Sequence, residues 1–167
     1  MNIVIVGATG NVGRKIIETL ESKKISIDQL YLVASPKSAG KKMVFNGKEL
    51  EVHNLETFDF SNAEITFFAA GGKISEKYAV KAAEHSTVID NSSHFRMDPN
   101  VPLIVPEVNS HDLKNYKNIL FKRNRNYNQI RKKEKVMLIY WKGWGLLAPL
   151  IIMSFTLISV LKSQKEV

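Results

Sequence analysis

The sequence contains no cysteine in its 167 residues. Disulfide bonds, thiolate metal sites and cysteine nucleophiles are therefore excluded for these residues. Its four histidines are scattered without the spacing of metal ligands, so we expect no metal site. The N-terminus also lacks a basic segment followed by a long apolar run, because the short apolar stretch Asn2–Val6 leads directly into glycine. We therefore expect no signal peptide and a cytoplasmic first domain.

Acidic residues are scarce towards the C-terminus. Residues 122–167 contain 10 basic and 2 acidic side chains, whereas residues 1–121 contain 14 of each, so the net charge of +8 belongs to the C-terminal segment. Such a change in composition marks a boundary. We predict an α/β domain over residues 1–121, a basic linker over 122–136, and a hydrophobic helix with a short tail over 137–167. The basic balance is no argument that the first domain binds nucleic acid, and we expect none there.

The first thirteen residues, MNIVIVGATGNVG, combine a short β-branched apolar run with three glycines at three-residue intervals. A strand that leads into such glycines and then into a helix is typical of a dinucleotide-binding βαβ unit. Gly7 would allow the tight turn, Gly10 the approach of a pyrophosphate, and Gly13 the close packing of helix on sheet. The spacing is GxxGxxG rather than GxGxxG, and a plain strand-to-helix connection is the alternative.

The segment after the second apolar run, Leu30–Ala34, carries hydroxyl and ammonium groups at Ser35, Lys37 and Ser38. NAD-binding domains usually place a carboxylate at this point for the ribose hydroxyls. Its replacement by Lys37 and two serines favours a 2′-phosphate, and hence NADP over NAD. A solvated basic loop is the alternative interpretation.

Further along the chain, the pattern predicts a hairpin at Asn46-Gly47 and buried strands at Glu64–Ala70, Thr87–Asp90 and Leu103–Val105. Glycines after the first of these buried strands suit the approach of a cofactor or simply cap the strand. A polar cluster follows Asp90 and includes Arg96, which is well placed to bind an anion because ligands lie beyond the carboxyl ends of parallel strands.

Together these motifs resemble the cofactor-binding half of the aspartate-semialdehyde dehydrogenases, over roughly the first 120 residues. The matching pieces, in order, are GATGNVG at Gly7–Gly13, ASPKSAGK at Ala34–Lys41, FFAAGGKISEKYA at Phe67–Ala79 and VIDNSSHFRMDPNVPLIVPEVN at Val88–Asn109. The resemblance implies a Rossmann-type, mostly parallel sheet. It also implies a cytoplasmic homo-oligomeric enzyme that reduces L-aspartyl-4-phosphate with NADPH to aspartate 4-semialdehyde, in the biosynthesis of lysine, diaminopimelate, methionine and threonine.

The resemblance also implies roles for individual residues, of which Arg96 would bind the acyl phosphate of the substrate. The family usually has arginine at Lys37, and lysine keeps the charge but loses the bidentate fork. The implied cofactor-binding residues are Gly7, Thr9, Gly10, Asn11, Val12 and Gly13 for the pyrophosphate, Ser35, Lys37 and Ser38 for the 2′-phosphate, Ala70, Gly71 and Gly72 on the nicotinamide side, and Asn91 and Ser92 near the cofactor.

The resemblance stops near residue 120, before the cysteine nucleophile and the second domain of the family. Acyl-enzyme formation needs a thiolate, and the sequence has none. We therefore expect a truncated form that binds NADP without catalysis and has no catalytic residue of its own.

The C-terminal segment includes 19 consecutive uncharged residues, 143–161. This length just reaches across a bilayer core, and the basic residues before it would place the first domain in the cytoplasm, anchored to the inner membrane. A helix packed on the first domain is the alternative. For the whole chain there are two corresponding alternatives. One is a membrane-tethered nucleotide-binding protein, and the other is a decayed gene joined to a small membrane protein that starts at Met137.

Overall fold

A computed structural model describes residues 1–95, 97–98, 101, 103–104 and 136–139, which form one α/β sheet with its helices. The strand order is β3-β4-β2-β1-β5-β6-β8-β7, and all neighbouring strands are parallel except the β3-β4 hairpin. The strands are β1 (Asn2–Val6), β2 (Gln29–Ala34), β3 (Lys42–Phe45), β4 (Lys48–Asn54), β5 (Ile65–Phe68), β6 (Thr87–Asp90), β7 (Leu103–Ile104) and β8 (Val136–Ile139). The helices are α1 (Asn11–Ser22) and α2 (Gly72–Ala82), and a single 3-10 turn spans Pro36–Ser38.

The central strand β1 is covered on both faces, and Ile3 to Val6 are completely buried. Its side chains alternate between two apolar cores, as the period of a strand requires. One core contains the buried face of α1, with Ile16, Ile17 and Leu20, and the other contains Ala79 and Ala82 of α2. Burial on both faces explains why these strands are continuous apolar runs. The predicted Rossmann-type, mostly parallel sheet is confirmed.

The chain changes direction across the sheet at β1, which pairs with β2 on one side and β5 on the other. From β1 the chain first builds outward through β2 to the hairpin, and then crosses to β5 and β6 on the opposite side. In open α/β sheets the crevice at such a reversal, beyond the carboxyl ends of the strands, is where ligands bind. The segments after β1 and β5 therefore flank the expected binding crevice.

The predicted hairpin is present, with β3 and β4 joined at Asn46 and Gly47. Both residues have positive φ, of 49° and 76°, as a tight hairpin turn between twisted strands requires. The Asn46 amide donates a 2.6 Å hydrogen bond to the Glu21 carboxylate, which ties the turn to α1.

Both helices begin earlier than their periodicity predicts. The spacing of apolar residues in the sequence predicts helices over Arg14–Lys24 and Ser75–His85, but α1 starts directly after Gly10 and α2 directly after Gly71. The first turns before Arg14 and Ser75 each contain a glycine and a single large apolar side chain, Val12 or Ile74, so they show too little of the apolar period to be assigned to a helix. Predicted strands end close to their expected bounds, although β5 stops at Phe68, two residues before the predicted end.

The sequence predicted that residues 137–139 open a hydrophobic helix, but the structure places them in β8. This strand pairs in parallel with β6 and with β7, so Val136–Ile139 belongs to the sheet rather than to a linker or a helix. A four-residue apolar run does not distinguish a buried strand from a helix by periodicity. Among the described residues no helix is long and apolar enough to cross a membrane. The predicted linker over 122–135 and the candidate span over 143–161 lie outside them.

Candidate functional site at the carboxyl edge of the sheet

Four loops that follow parallel strands meet at one edge of the sheet. The amides of Gly7 and Ala8, after β1, donate to the Val33 carbonyl of β2 at 2.8 and 3.2 Å. A Cβ built on Gly7 would lie 2.8 Å from the Ala69 carbonyl oxygen, after β5. A Cβ on Gly72 would lie 3.7 Å from the Ser93 hydroxyl oxygen, in the loop after β6. The glycine turn after β1 therefore contacts β2 and the loop after β5, and the start of α2 contacts the loop after β6.

The glycine-rich turn has the geometry that its spacing suggested. Gly7 has a φ of +87°, and its carbonyl accepts a 3.0 Å hydrogen bond from the Gly10 amide, which closes the turn. A Cβ on Gly13 would lie 2.2 Å from the Gly7 carbonyl oxygen and 2.7 Å from Cα of Ala8. Glycine at position 13 is thus what allows α1 to approach the end of β1 so closely.

The first turn of α1 presents unused hydrogen-bond donors at this edge. Gly10 precedes the helix in an extended conformation, and its carbonyl accepts the first helical hydrogen bond, from the Arg14 amide. Within the described part of the chain, the amides of Asn11, Val12 and Gly13 donate to no acceptor, as is normal for a first helical turn. Asn11 and Val12 are exposed. Free amides at the positive end of a helix form an anion-binding site.

The loop after β2 presents the three residues predicted to select the cofactor. Its backbone is fixed by the 3-10 turn, in which the Ser38 amide donates to the Ser35 carbonyl at 2.8 Å. Ser35 and Lys37 are exposed and Ser38 is half-buried. The ion pairs that lysines form within the described ranges are Lys15–Glu18 and Lys42–Glu49, so the Lys37 ammonium has no carboxylate partner there.

The loops after β5 and β6 form the opposite side of the edge. Ala70 and Gly71 are exposed, Gly72 is half-buried, and Gly71 has a φ of +86° where the chain turns into α2. Asn91 is also exposed, and its amide donates to the Phe68 carbonyl at 3.0 Å, which joins the ends of β5 and β6. Ser92, in contrast, is buried. The predicted substrate-binding residue Arg96 lies outside the described residues.

Sequence reasoning missed the carboxylate that holds Ser92. Asp90, the last residue of β6, has no solvent exposure and accepts three hydrogen bonds. The Ser92 hydroxyl donates to its Oδ2 at 2.8 Å, and both the Ser92 amide and the Ser75 hydroxyl of α2 donate to its Oδ1, at 2.8 and 2.9 Å. An aspartate directly after the apolar residues Val88 and Ile89 of a predicted buried strand was the available signal.

Burial raises the pKa of the Asp90 carboxyl above its ordinary value of 3.8. The hydrogen bonds from Ser92 and Ser75, and the nearby His94, act in the opposite direction by stabilising the charged form. Both carboxylate oxygens accept hydrogen bonds, which is the bonding pattern of the ionised group. The site therefore combines exposed donors in two loops with a buried acceptor behind a third.

Comparison with known proteins identifies related enzymes. The family model for the semialdehyde dehydrogenase NAD-binding domain matches residues 2–116. Aspartate-semialdehyde dehydrogenase from Shewanella sp. (strain DB6705) is 44% identical over 140 residues, which cover 83% of this chain and 41% of the relative. Aspartate-semialdehyde dehydrogenase 2 from Vibrio cholerae is 44% identical over 140 residues, with coverage of 83% and 42%.

Solved structures of the same enzymes have this fold. Aspartate-semialdehyde dehydrogenase II from Vibrio cholerae, complexed with ASA, superposes with a TM-score of 0.71 at 39% identity, covering 83% of this chain and 41% of that one. The Candida albicans enzyme with NADP superposes with a TM-score of 0.61 at 25% identity and the same coverage.

The relatives are longer than the matched sequence. The chain spans about two fifths of the length of the curated relatives that it matches. The aligned share of this chain, 140 residues, is longer than the 120 residues on which the motif resemblance rests. The chain belongs to the semialdehyde dehydrogenase family, and the part that it matches is the N-terminal NAD(P)-binding domain of an aspartate-semialdehyde dehydrogenase.

Proposed function

We propose that the chain binds NADP(H) at the carboxyl edge of its sheet and does not itself catalyse the reaction of the family. The observation that carries the proposal is the row of free amides at Asn11, Val12 and Gly13, directly after a glycine that leaves the backbone open. These donors fit a pyrophosphate, which is anionic and has several acceptor oxygens.

Gly10 controls access to the amides. A Cβ at this position would come no closer than 3.4 Å to the Gly7 carbonyl oxygen, so the fold itself tolerates a methyl group there. The missing side chain is therefore not explained by packing. An open approach for the pyrophosphate, with Thr9 and Asn11 on either side, explains it.

The loop after β2 would select NADP over NAD. Lys37 supplies a positive charge without a carboxylate partner in the described ranges, and Ser35 and Ser38 supply hydroxyl donors beside it. A 2′-phosphate needs these groups, whereas a ribose 2′-hydroxyl needs a carboxylate acceptor. The NADP complex of the Candida albicans relative supports this cofactor class.

The nicotinamide would lie on the side of Ala70, Gly71 and Gly72, with Asn91 exposed nearby. When bound, the cofactor supplies a hydride. The family's reduction of L-aspartyl-4-phosphate also requires a cysteine thiolate, which these 167 residues lack. Arg96 would bind the acyl phosphate of that substrate. We therefore expect binding of the nucleotide without turnover.

The test is a titration of the purified chain with NADPH and with NADH, followed by nicotinamide fluorescence and by thermal shift. We expect tighter binding of NADPH, and a melting temperature that rises with ligand concentration. Gly10→Ala should lower the affinity for both nucleotides, because the added methyl group occupies the approach to the amides. Gly47→Ala, in the distant hairpin turn, is the matched control and should leave both affinities unchanged. A folded chain that binds neither nucleotide would refute the proposal.

A further inference from the structure

We infer that Asp90 is a positioning residue for the nicotinamide end of this site, where its carboxylate holds the loop after β6 against the first turns of α2. The inference rests on the proposed function, because it concerns how the walls of that cofactor site are kept in place.

The hydrogen bonds of Asp90 join two elements that the chain makes separately. One oxygen accepts from Ser75, in α2, and from the Ser92 amide, while the other accepts from the Ser92 hydroxyl. The Ser92 hydroxyl oxygen in turn accepts a 3.2 Å hydrogen bond from the His94 amide. The path from α2 through the carboxylate to the backbone at position 94 is continuous.

The free-energy cost of burying the Asp90 carboxyl group indicates that the residue does more than fill space in the core. Asp90 has no solvent exposure, and within the ranges that the structure describes it forms no ion pair. Burying a carboxyl group without an ion pair is costly, and burial raises the pKa of Asp90 accordingly. An apolar residue at the end of β6 would extend the core without this cost. What an apolar residue cannot do is accept three hydrogen bonds in a fixed geometry.

The segments that the Asp90 hydrogen bonds hold in place contain the residues proposed to face the nicotinamide. Gly72, in the first turn of α2, lies against the Ser93 and His94 side chains, with a built Cβ 3.7 Å from each. Asn91, between Asp90 and Ser92, is exposed at the edge while its amide is bonded to the end of β5. Loss of the Asp90 bonds would therefore release both Asn91 and the turn at Gly72.

The other half of the site is built independently. The glycine turn is held by the Val33 carbonyl, and the loop after β2 by its own 3-10 turn. No hydrogen bond of Asp90 within the described residues reaches either loop. Asp90 should therefore affect ligands that carry a nicotinamide, and not ligands that end at the second ribose.

The experiment compares NADPH with 2′-phospho-ADP-ribose, which lacks the nicotinamide, on the full chain and its variants. Ser75→Ala and Asp90→Asn should each raise the Kd for NADPH by about tenfold, the factor that corresponds to one hydrogen bond to a charged group. Both variants should leave the Kd for 2′-phospho-ADP-ribose within about twofold of the wild type, because the adenine half of the site is not touched.

Ser86→Ala is the matched control. Ser86 is a buried serine just before β6, and its hydroxyl is bonded to Thr66 and to the Ala82 carbonyl at 2.8 and 2.9 Å. It lies at the opposite end of β6 from Asn91. Loss of the Ser86 hydroxyl should lower the melting temperature, as Ser75→Ala should, but leave the affinity for both ligands unchanged. The comparison of Ser86→Ala with Ser75→Ala therefore separates a loss of stability from a loss of positioning at the nicotinamide end.

Amide hydrogen exchange without ligand gives an independent readout. The amides of Ser92 and His94 should exchange faster in Ser75→Ala and in Asp90→Asn than in the wild type. Their exchange rates should be unchanged in Ser86→Ala. A wild-type chain that binds neither ligand would overturn the proposed function and this inference with it. Wild-type binding, with folded variants that weaken both ligands equally or neither of them, would overturn the positioning role alone.

Discussion

Replacement of Gly13 by alanine tests whether α1 lies against the end of β1 as closely as the structure has it. The added Cβ would lie 2.2 Å from the Gly7 carbonyl oxygen and 2.7 and 2.9 Å from Cα and the carbonyl carbon of Ala8. All three contacts are with backbone, which has no rotamer to change. The helix must therefore move away by about 1 Å to reach ordinary contact distances.

The expected magnitude follows from two opposing effects. Alanine is favoured over glycine within a helix by about 1 kcal/mol, which offsets part of the loss. Overpacking costs about 1–3 kcal/mol, and here the upper part of that range applies because Ile16 and Ile17 must shift with the helix. We expect a net loss of about 2 kcal/mol in the free energy of unfolding, or about 6 °C in melting temperature.

Urea unfolding of the wild type, Gly13→Ala and Gly10→Ala would measure this difference. Gly10→Ala is the comparison, because its Cβ has 3.4 Å to the Gly7 carbonyl oxygen and its φ is −78°. Its loss should be below about 1 kcal/mol, the scale of a changed residue at the start of a helix. Equal stability of Gly13→Ala and the wild type would refute the close approach of α1 and, with it, the explanation given for the third glycine.

Three further predictions concern the hairpin, the cofactor loop and the buried carboxylate. Gly47→Ala should lower the free energy of unfolding by about 1 kcal/mol, because Gly47 has a φ of +76°, and urea titration would detect it. Lys37→Ala should raise the Kd for NADPH by about tenfold and hardly change the Kd for NADH, whereas Lys37→Arg should retain NADPH binding. An equal loss of affinity for both nucleotides in a titration would contradict selection through the 2′-phosphate. The folded chain holds the Asp90 proton at pH values where the unfolded chain has lost it, so Asp90 lowers stability as the pH rises from 3.8 towards its raised pKa. The difference in unfolding free energy between wild type and Asp90→Asn should therefore change across that window and be constant above it; no change would mean that the pKa is not raised.

The order of strands and helices was largely predictable because local signals and burial agree along most of the chain. A strand covered on both faces must be an apolar run, and Ile3 to Val6 could be little else. The hairpin followed from Asn46-Gly47 in the same way. The helix starts were less predictable, because the residues of each helix before Arg14 and Ser75 include a glycine and only one large apolar side chain.

The backbone geometry of the candidate site was predictable from the sequence, but the side-chain hydrogen bonds between distant residues were not. The glycine spacing reports local constraints, namely a positive φ at Gly7 and a close approach at Gly13. The bond between Ser75 and Asp90 joins residues on different elements, and nothing in the sequence pairs them. Ser92 was predicted near the cofactor, and the structure adds that its hydroxyl donates to the buried Asp90 carboxylate two residues earlier.

The place of β8 in the sheet has a consequence for the order in which the protein can assemble during synthesis. This strand is the last described element in the chain, yet it lies between β6 and β7, both of which leave the ribosome earlier. Among the described strands, β6 pairs with β5 alone until Val136–Ile139 has emerged, and its other edge has no described strand to accept its amides and carbonyls. With respect to the described strands, this parallel edge of β6 is therefore completed late in synthesis, and before then it is a surface with which a chaperone or a neighbouring copy could pair.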